Sequence, residues 1–318
     1  MSAWEAAFNF DSLVWDWIIA IYLFLAGVSA GAVMLTIYLK KNVIKGDASE
    51  SGIIKAMALL APLGIIIGLT ILIFHLHRPL TFWHLMFNFN PSSIMSMGVV
   101  LFQVYMVVLF AWLAIIFHKQ LRAVLPEKLD FVNVIIEKIQ PLTKTIEFVL
   151  AILAILLAAY TGFLLSALKT YPLLNNPVLP VLFLFSSLSS GAAACLLFGI
   201  IGFKESSHSD AVAWLHRVEK PVVLFELFLL VTFFVGLILG GGQSEVAAWN
   251  AIGHGFWATW FWVGVIAVGM IIPLAMNYFA PTKVQKTNGF VLVVTSLSLI
   301  GVLMLRIFIL YAGQMTLV

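Results

Sequence analysis

Eight apolar runs, each long enough to cross a bilayer, decide what this protein can become. A membrane span needs roughly 20 mainly apolar residues, and such runs lie at about 17–39, 54–76, 93–117, 147–168, 180–202, 221–240, 256–280 and 288–312. They take up most of the 318 residues and leave only short connections, with no room for a separate soluble domain. In hydrocarbon the backbone must satisfy its own hydrogen bonds, so the expectation is an all-α polytopic membrane protein with a single membrane domain over 1–318. Composition agrees: 63% of residues are hydrophobic and 10% are charged, where soluble domains carry about 25% charge. The residues before the first run include Glu5, Asp11 and Asp16 but no Lys or Arg, unlike the basic start of a cleavable signal. That run is therefore expected to remain as the first helix.

One cysteine, Cys195, excludes several chemistries. An iron–sulfur cluster takes about four thiolates, and a disulfide framework or a cysteine-based zinc site is equally out of reach. The net charge of +3 comes from scattered residues and forms no basic stripe, so nucleic acid is not an expected partner. Haem needs histidines facing one another at depth. His118, His208, His216 and His254 fall outside the runs or at their ends, which disfavours a bis-histidine haem.

Positive loops stay cytoplasmic. Fourteen of the seventeen Lys and Arg residues, from Lys40 through Lys128 to Lys286, lie in loops after the first, third, fifth and seventh runs. Only Arg78 and Lys169 lie on the other side, and Arg306 is inside the last run. Both termini are therefore expected to face the periplasm of a bacterial inner membrane.

A weak repeat supports two four-helix bundles in parallel, at about 17–168 and 180–312. Phe24-Leu25-Ala26-Gly27-Val28-Ser29-Ala30-Gly31-Ala32 in the first run is echoed by Leu184-Phe185-Ser186-Ser187-Leu188-Ser189-Ser190-Gly191-Ala192 in the fifth. Gly27-x-x-x-Gly31, Gly64-x-x-x-Gly68 and Gly236-x-x-x-Gly240 read as seams of close backbone approach.

Ionisable residues at membrane depth mark candidate sites. Glu226 lies about two turns into the sixth run and must be protonated, paired or facing water; Arg217 and Lys220 are the nearby cations. Glu219 is on the same helical face, about 10 Å away along the axis. Both are candidates for a proton relay, against a plain structural role that is favoured for Glu219 at the interface. Arg306 either snorkels outward or holds an acid or a ligand oxygen. Tyr22 and Tyr160 sit in the outer halves of their runs, where tyrosines commonly anchor to the interface. His75 clusters with His77, Arg78 and His84 and shares a face with Gly64 and Gly68, pointing toward neighbouring helices. The outer loops 82–91 and 169–177 are aromatic and nearly uncharged. They read as a docking platform, or else as loops folded back over the bundle.

Several segments, in order, resemble the NrfD/polysulfide-reductase family of membrane subunits. They are Ser12-Leu13-Val14-Trp15-Asp16-Trp17, Phe74-His75-Leu76-His77-Arg78-Pro79, Ser96-Met97-Gly98, Tyr160-Thr161-Gly162-Phe163 and Leu303-Met304-Leu305-Arg306. Leu174-Asn175-Asn176-Pro177 and Tyr311-Ala312-Gly313-Gln314 are similar to the branch that serves formate-dependent nitrite reduction. The resemblance implies a quinol dehydrogenase subunit without haem or cluster that oxidises menaquinol to menaquinone near the periplasmic face. Electrons would pass to an NrfC-like iron–sulfur protein with four clusters, then to multihaem cytochromes c that reduce nitrite to ammonia. It also implies that Tyr22, Tyr160, Glu219, Glu226 and Arg306 matter for quinone chemistry. Relatives can carry an acid where this chain has His75. Imidazole titrates near neutral pH, which makes His75 the local candidate to accept the quinol proton. The competing expectations are a secondary transporter and a non-catalytic anchor of a periplasmic reductase.

The expected orientation is tested by cysteine substitution at Ser2 and Thr316. Both positions should react with an impermeant thiol reagent in intact spheroplasts, and protection of both would invert the topology.

Overall fold

The computed structural model describes residues 7–76, 78–124 and 130–317. Glu5, His77 and Lys128 lie outside the described residues. Eight helices are long and apolar enough to span a membrane, and no strand occurs among the described residues. They are α1 Trp17–Asn42, α2 Gly52–His75, α3 Ile94–Ile116, α4 Thr143–Ser166, α5 Leu179–Phe203, α6 Asp210–Gly240, α7 Gly255–Phe279 and α8 Asn288–Gln314. The middle of α7, Trp260–Ile271, is wound as a π-helix.

Local chemistry explains most boundaries. Asp16 caps α1 by accepting from Ile18 N at 3.0 Å, and Lys40 and Lys41 complement the dipole in its last turn. Ser209 caps α6, accepting from Val212 N at 3.3 Å. The cap sets the start of α6 at Asp210, well before the hydropathy boundary near 221, because its first turns are amphipathic and carry charge. His216, expected outside the run, is therefore helical, and Glu219 is interior rather than interfacial.

α1 and α5 form the centre. α1 packs on α2, α4, α5 and α8, while α5 packs on α1, α2, α4, α6 and α8. In their most apolar stretches 72% of α1 and 67% of α5 is buried, against 28% of α3, which leans mainly on α4. The crossing is set by glycine. A Cβ on Gly31 would overlap the Ser187 carbonyl, and one on Gly191 would overlap the backbone of Gly31 and Ala32. Gly64 and Gly68 also lie at a seam, 3.1 Å from Leu25 O and 3.4 Å from the Tyr22 ring when a Cβ is added. Gly236 and Gly240 do not. Nothing lies within 4 Å of a Cβ at Gly236, and α6 turns that edge away from its neighbours.

The side that holds both termini is tied by one amide. Gln314 Oε1 accepts from Val14 N and Trp15 N at 2.9 Å, and its Nε2 donates to Trp15 O at 2.8 Å and to Leu310 O at 2.9 Å. Tyr311 Oη accepts from Trp17 N at 2.8 Å. The start of α1 and the end of α8 are thereby joined. The two aromatic loops behave differently. Tyr171, Leu173, Leu174 and Asn176 are buried, and Tyr171 Oη donates to Ser12 O at 2.9 Å, so the second loop folds back into the bundle. Leu80, Trp83, Phe87 and Phe89 remain exposed, which restricts any platform to the first loop. Thr316 is buried and bonded by Asn250 at 3.3 Å, so exposed Leu317 is the better labelling position.

On the basic side, Glu147 binds Lys40 and accepts from Trp112 Nε1 at 3.0 Å. Asp47 meets Lys119 at 2.8 Å, and hydrogen bonds from Lys119 and Ser49 hold its carboxyl down at about 2.

The glycine geometry separates two outwardly similar substitutions. Gly191→Ala should cost about 1–3 kcal/mol by overpacking a backbone contact. Gly236→Ala should be neutral or stabilising by up to about 1 kcal/mol from helix propensity. Unfolding in detergent measures both, and equal effects would contradict the seam assignment.

Candidate functional site

The sequence-predicted residues fall into three separate groups. The first is near the ends of α1, α2, α3 and α4 on the side that holds both termini. Tyr22 and Tyr160 are almost fully buried and flank Phe102, with ring centroids at 5.8 and 6.0 Å. The two tyrosines are close enough to act on each other electrostatically. Neither hydroxyl has a hydrogen-bond partner among the described residues, although an unpaired polar group in an apolar setting costs about 1–3 kcal/mol. Small residues make the room. Gly68 lies against the Tyr22 ring, and a side chain at Gly98 would overlap the Tyr160 hydroxyl. α2, through Gly68, and α3, through Gly98 and Phe102, both touch the tyrosines but meet each other only sparsely.

His75 stands at the rim of this group. Its Nε2 is 3.8 Å from Asp16 Oδ1, and its side chain is 36% exposed instead of tucked into the seam. The last turn of α2 extends beyond the shelter of its neighbours. Asp16 was not singled out from the sequence as a site residue, yet the carboxylate that caps α1 is also the one facing His75. A capping Asp ahead of an apolar run was the available signal.

The second group surrounds Arg306, which is completely buried and therefore does not snorkel. Its Nη2 donates to Phe183 O at 3.2 Å and to Ser187 Oγ at 3.4 Å, and its cation lies 3.5 Å from the centroid of the Phe183 ring. Its charge acts on Glu226, also buried, without closing to an ion pair. The sequence offered Arg217 and Lys220 as partners for Glu226, but Arg217 points outward on α6 and Arg306 takes that place. Glu226 Oε1, Arg306 Nε and Nη1, and the neighbouring Ser186 Oγ have no hydrogen-bond partner among the described residues. Gly27 brings α1 within 3.3 Å of Arg306 Nη2 when a Cβ is added. Gly27 is about 7 Å deeper along α1 than Tyr22 and on another face, so Arg306 and the tyrosines lie on opposite sides of α1.

Glu219 is the third group and knits three helices together. Oε1 accepts from Ser298 Oγ of α8 at 3.0 Å, and Oε2 accepts from Asn277 Nδ2 of α7 at 3.5 Å. His216 Nδ1 lies 3.7 Å from Oε2.

Fold and site together define a multi-pass helical membrane protein with a pair of receptive hydroxyls near one face and a compensated charge pair deeper inside. Among the described residues no group of three or more His, Cys, Asp or Glu is placed to hold a metal ion. The chain matches the family described as "Polysulphide reductase, NrfD" over residues 5–318. It is 50% identical over 317 residues to Protein NrfD of Escherichia coli, covering 98% of both proteins. It is 49% identical over 312 residues to a Protein NrfD homolog of Haemophilus influenzae, covering 97% of both. Against a polysulfide reductase subunit of Wolinella succinogenes the identity is 42% over 313 residues, again covering 98% of both. The chain belongs to the NrfD/polysulphide-reductase family, and it is a multi-pass inner-membrane protein.

The coupling of Arg306 to Glu226 is measurable. Removing one partner of a buried pair costs about 3–5 kcal/mol, because the other charge is left uncompensated. Arg306→Met should be strongly destabilising, and adding Glu226→Leu should recover much of the loss. Strict additivity in detergent unfolding would show that the two do not interact.

Proposed function

We propose that this chain is the quinol-oxidising membrane subunit of a reductase complex. The observation that carries the reading is the pair of unpartnered hydroxyls, Tyr22 and Tyr160, held where α2 and α3 meet only sparsely. A quinol ring is flat, apolar and ends in two hydroxyls. Its head would meet the two hydroxyls beside Phe102, and its tail would leave toward lipid between α2 and α3, which touch only sparsely.

Oxidation to the quinone releases two electrons and two protons. Tyr22 and Tyr160 hydrogen-bond the quinol oxygens. His75, steadied by Asp16, takes a proton from the rim and returns it to water. Arg306, held across α1, contributes positive potential toward the ring as quinolate charge develops. Glu226 and Glu219, buried about 10 Å apart along α6, form a candidate proton relay behind it. Menaquinol is the proposed donor. The electrons leave directly for a partner chain, because a protein with one cysteine cannot hold a cluster of its own.

The Lys and Arg bias supports placing the site and both termini at the periplasmic face. The exposed apolar loop around Leu80, Phe87 and Phe89 is next to it and is the proposed seat of an NrfC-like iron–sulfur protein. Multihaem cytochromes c and nitrite reduction lie downstream, in line with the resemblance to Protein NrfD. Two four-helix bundles in one membrane domain are supported by the crossing itself. Gly31 and Gly191, equivalent in the repeat, are in mutual contact, as a two-fold relation between the copies requires. A transporter would draw its polar residues to a midplane site. Here the receptive hydroxyls lie outward, which favours quinol chemistry.

Menaquinol-analogue oxidation by the assembled complex tests the proposal. Tyr22→Phe, Tyr160→Phe, His75→Ala and Arg306→Gln should each lower turnover by at least about tenfold, a loss of about 1.4 kcal/mol in transition-state stabilisation, while the partner still co-purifies. Near-normal activity in all four assembled variants would remove the site from this location.

A further inference from the structure

Quinol chemistry makes no use of a groove on the opposite side of the molecule. It lies at the basic side, where α1 ends and α6 begins, and holds about 270 Å³ between Asn42, Val43, Asp210, Ala213, Trp214 and Arg217. We propose that this groove binds the headgroup of a zwitterionic phospholipid with the chemistry of phosphatidylethanolamine.

The order of charges carries the assignment. Asp210 and Arg217 are seven residues apart on one face of α6, so they are separated by about 10 Å along the axis. α6 enters the membrane from its Asp210 end, which places Arg217 deeper and Asp210 outermost. A phosphoethanolamine head has the same order, with phosphate next to the glycerol and ammonium outside. Arg217 takes the phosphate in a charge-assisted hydrogen bond. Asp210 takes the ammonium, and the carbonyl end of α1 at Asn42 adds negative dipole on the same side. Neither Asp210 nor Arg217 has an ion-pair partner among the described residues.

The surroundings suit a lipid rather than a free ion. Tyr38 and Trp214 stack beside the groove with ring centroids at 4.8 Å and planes at 17°, and Tyr38 is half exposed. Such rings settle at the headgroup level of a bilayer. Farther into the membrane, Leu224, Phe228 and Val231 present an exposed apolar strip of α6 for an acyl chain. A purely anionic lipid would set its charge against Asp210. Choline would fill the ammonium position without an N–H to donate.

The full chain in detergent is titrated with palmitoyl-oleoyl phosphatidylethanolamine, -choline and -glycerol and with inorganic phosphate, and binding is read by native mass spectrometry. Phosphatidylethanolamine should bind most tightly. Arg217→Gln should weaken it about tenfold, the loss expected for one hydrogen bond to a charged group. Asp210→Asn should abolish the preference for ethanolamine over choline while lipid binding persists. Both residues are exposed and Ser209 still caps α6, so both variants should fold. Lys144→Gln, outside the groove, should change nothing. Equal binding of ethanolamine and choline lipids by the wild type, tighter binding of the glycerol lipid, or indifference to Arg217→Gln would each overturn the proposal. Inorganic phosphate binding as tightly as the lipid would reduce the groove to a simple anion site and overturn it as well. Quinol oxidation plays no part in these readouts, so the two proposals fail independently.

Discussion

The close crossing of α1 and α5 is the contact on which the rest of the molecule is mounted. Lipid tails are as apolar as leucine, so helices in a bilayer gain little from hiding apolar surface and associate through tight packing and hydrogen bonds. Gly31 and Gly191 let the two backbones meet where any side chain would separate them. That approach brings Ser187 to Gly27 and fixes the point where Arg306 finds the Phe183 carbonyl and ring. α2, α4, α6 and α8 then pack around the central pair, and α3 and α7 lean on α4 and α8.

Polar groups inside this scaffold follow two regimes. Glu219 has its oxygens matched by Ser298 and Asn277 and acts as glue between α6, α7 and α8. The same holds for Ser29, which donates to Ala61 O at 2.8 Å and pairs with Tyr105 Oη at 2.9 Å. Glu226 Oε1, Ser186 Oγ and much of Arg306 are buried with hydrogen-bonding capacity that the described protein does not use, and the Tyr22 and Tyr160 hydroxyls also stand without a partner. Burying such groups without partners costs stability, so they are the places where function is most economically sought. α1 divides them. Its outer face carries Tyr22 toward α3 and α4, while its opposite face carries Gly27 toward Arg306.

Much of the fold was legible because hydropathy over about 20 residues reports the bilayer directly. Seven of the eight spans begin and end within a few residues of the apolar runs. α6 is the exception, since its first turns hold Arg217, Glu219 and Lys220 and look like a loop to any average. The candidate site was legible as residue types but not as a constellation. Tyr22, Tyr160 and His75 could be picked out as polar residues near the ends of their runs, yet Asp16 stood only as one of the acids ahead of the first run. Nothing linear told the buried loop at Tyr171 from the exposed loop at Phe87, because both are aromatic and nearly uncharged. The difference is that Tyr171 finds Ser12 O and Leu174 fits over Gly313, while the residues around Phe87 find no such surface.

Sequence alone determined the number of spans, the all-helical class and the lack of thiolates for a cluster, since each follows from counting residues against a fixed physical requirement. Tertiary structure decided which polar groups meet. The cation whose charge acts on Glu226 is Arg306, eighty residues away, and not its neighbours Arg217 and Lys220. Gly236-x-x-x-Gly240 spells a seam as clearly as Gly27-x-x-x-Gly31 does, yet only the latter faces another backbone. A motif states how closely a helix can be approached. Rotation of that helix about its axis, set by all its neighbours together, decides whether anything approaches.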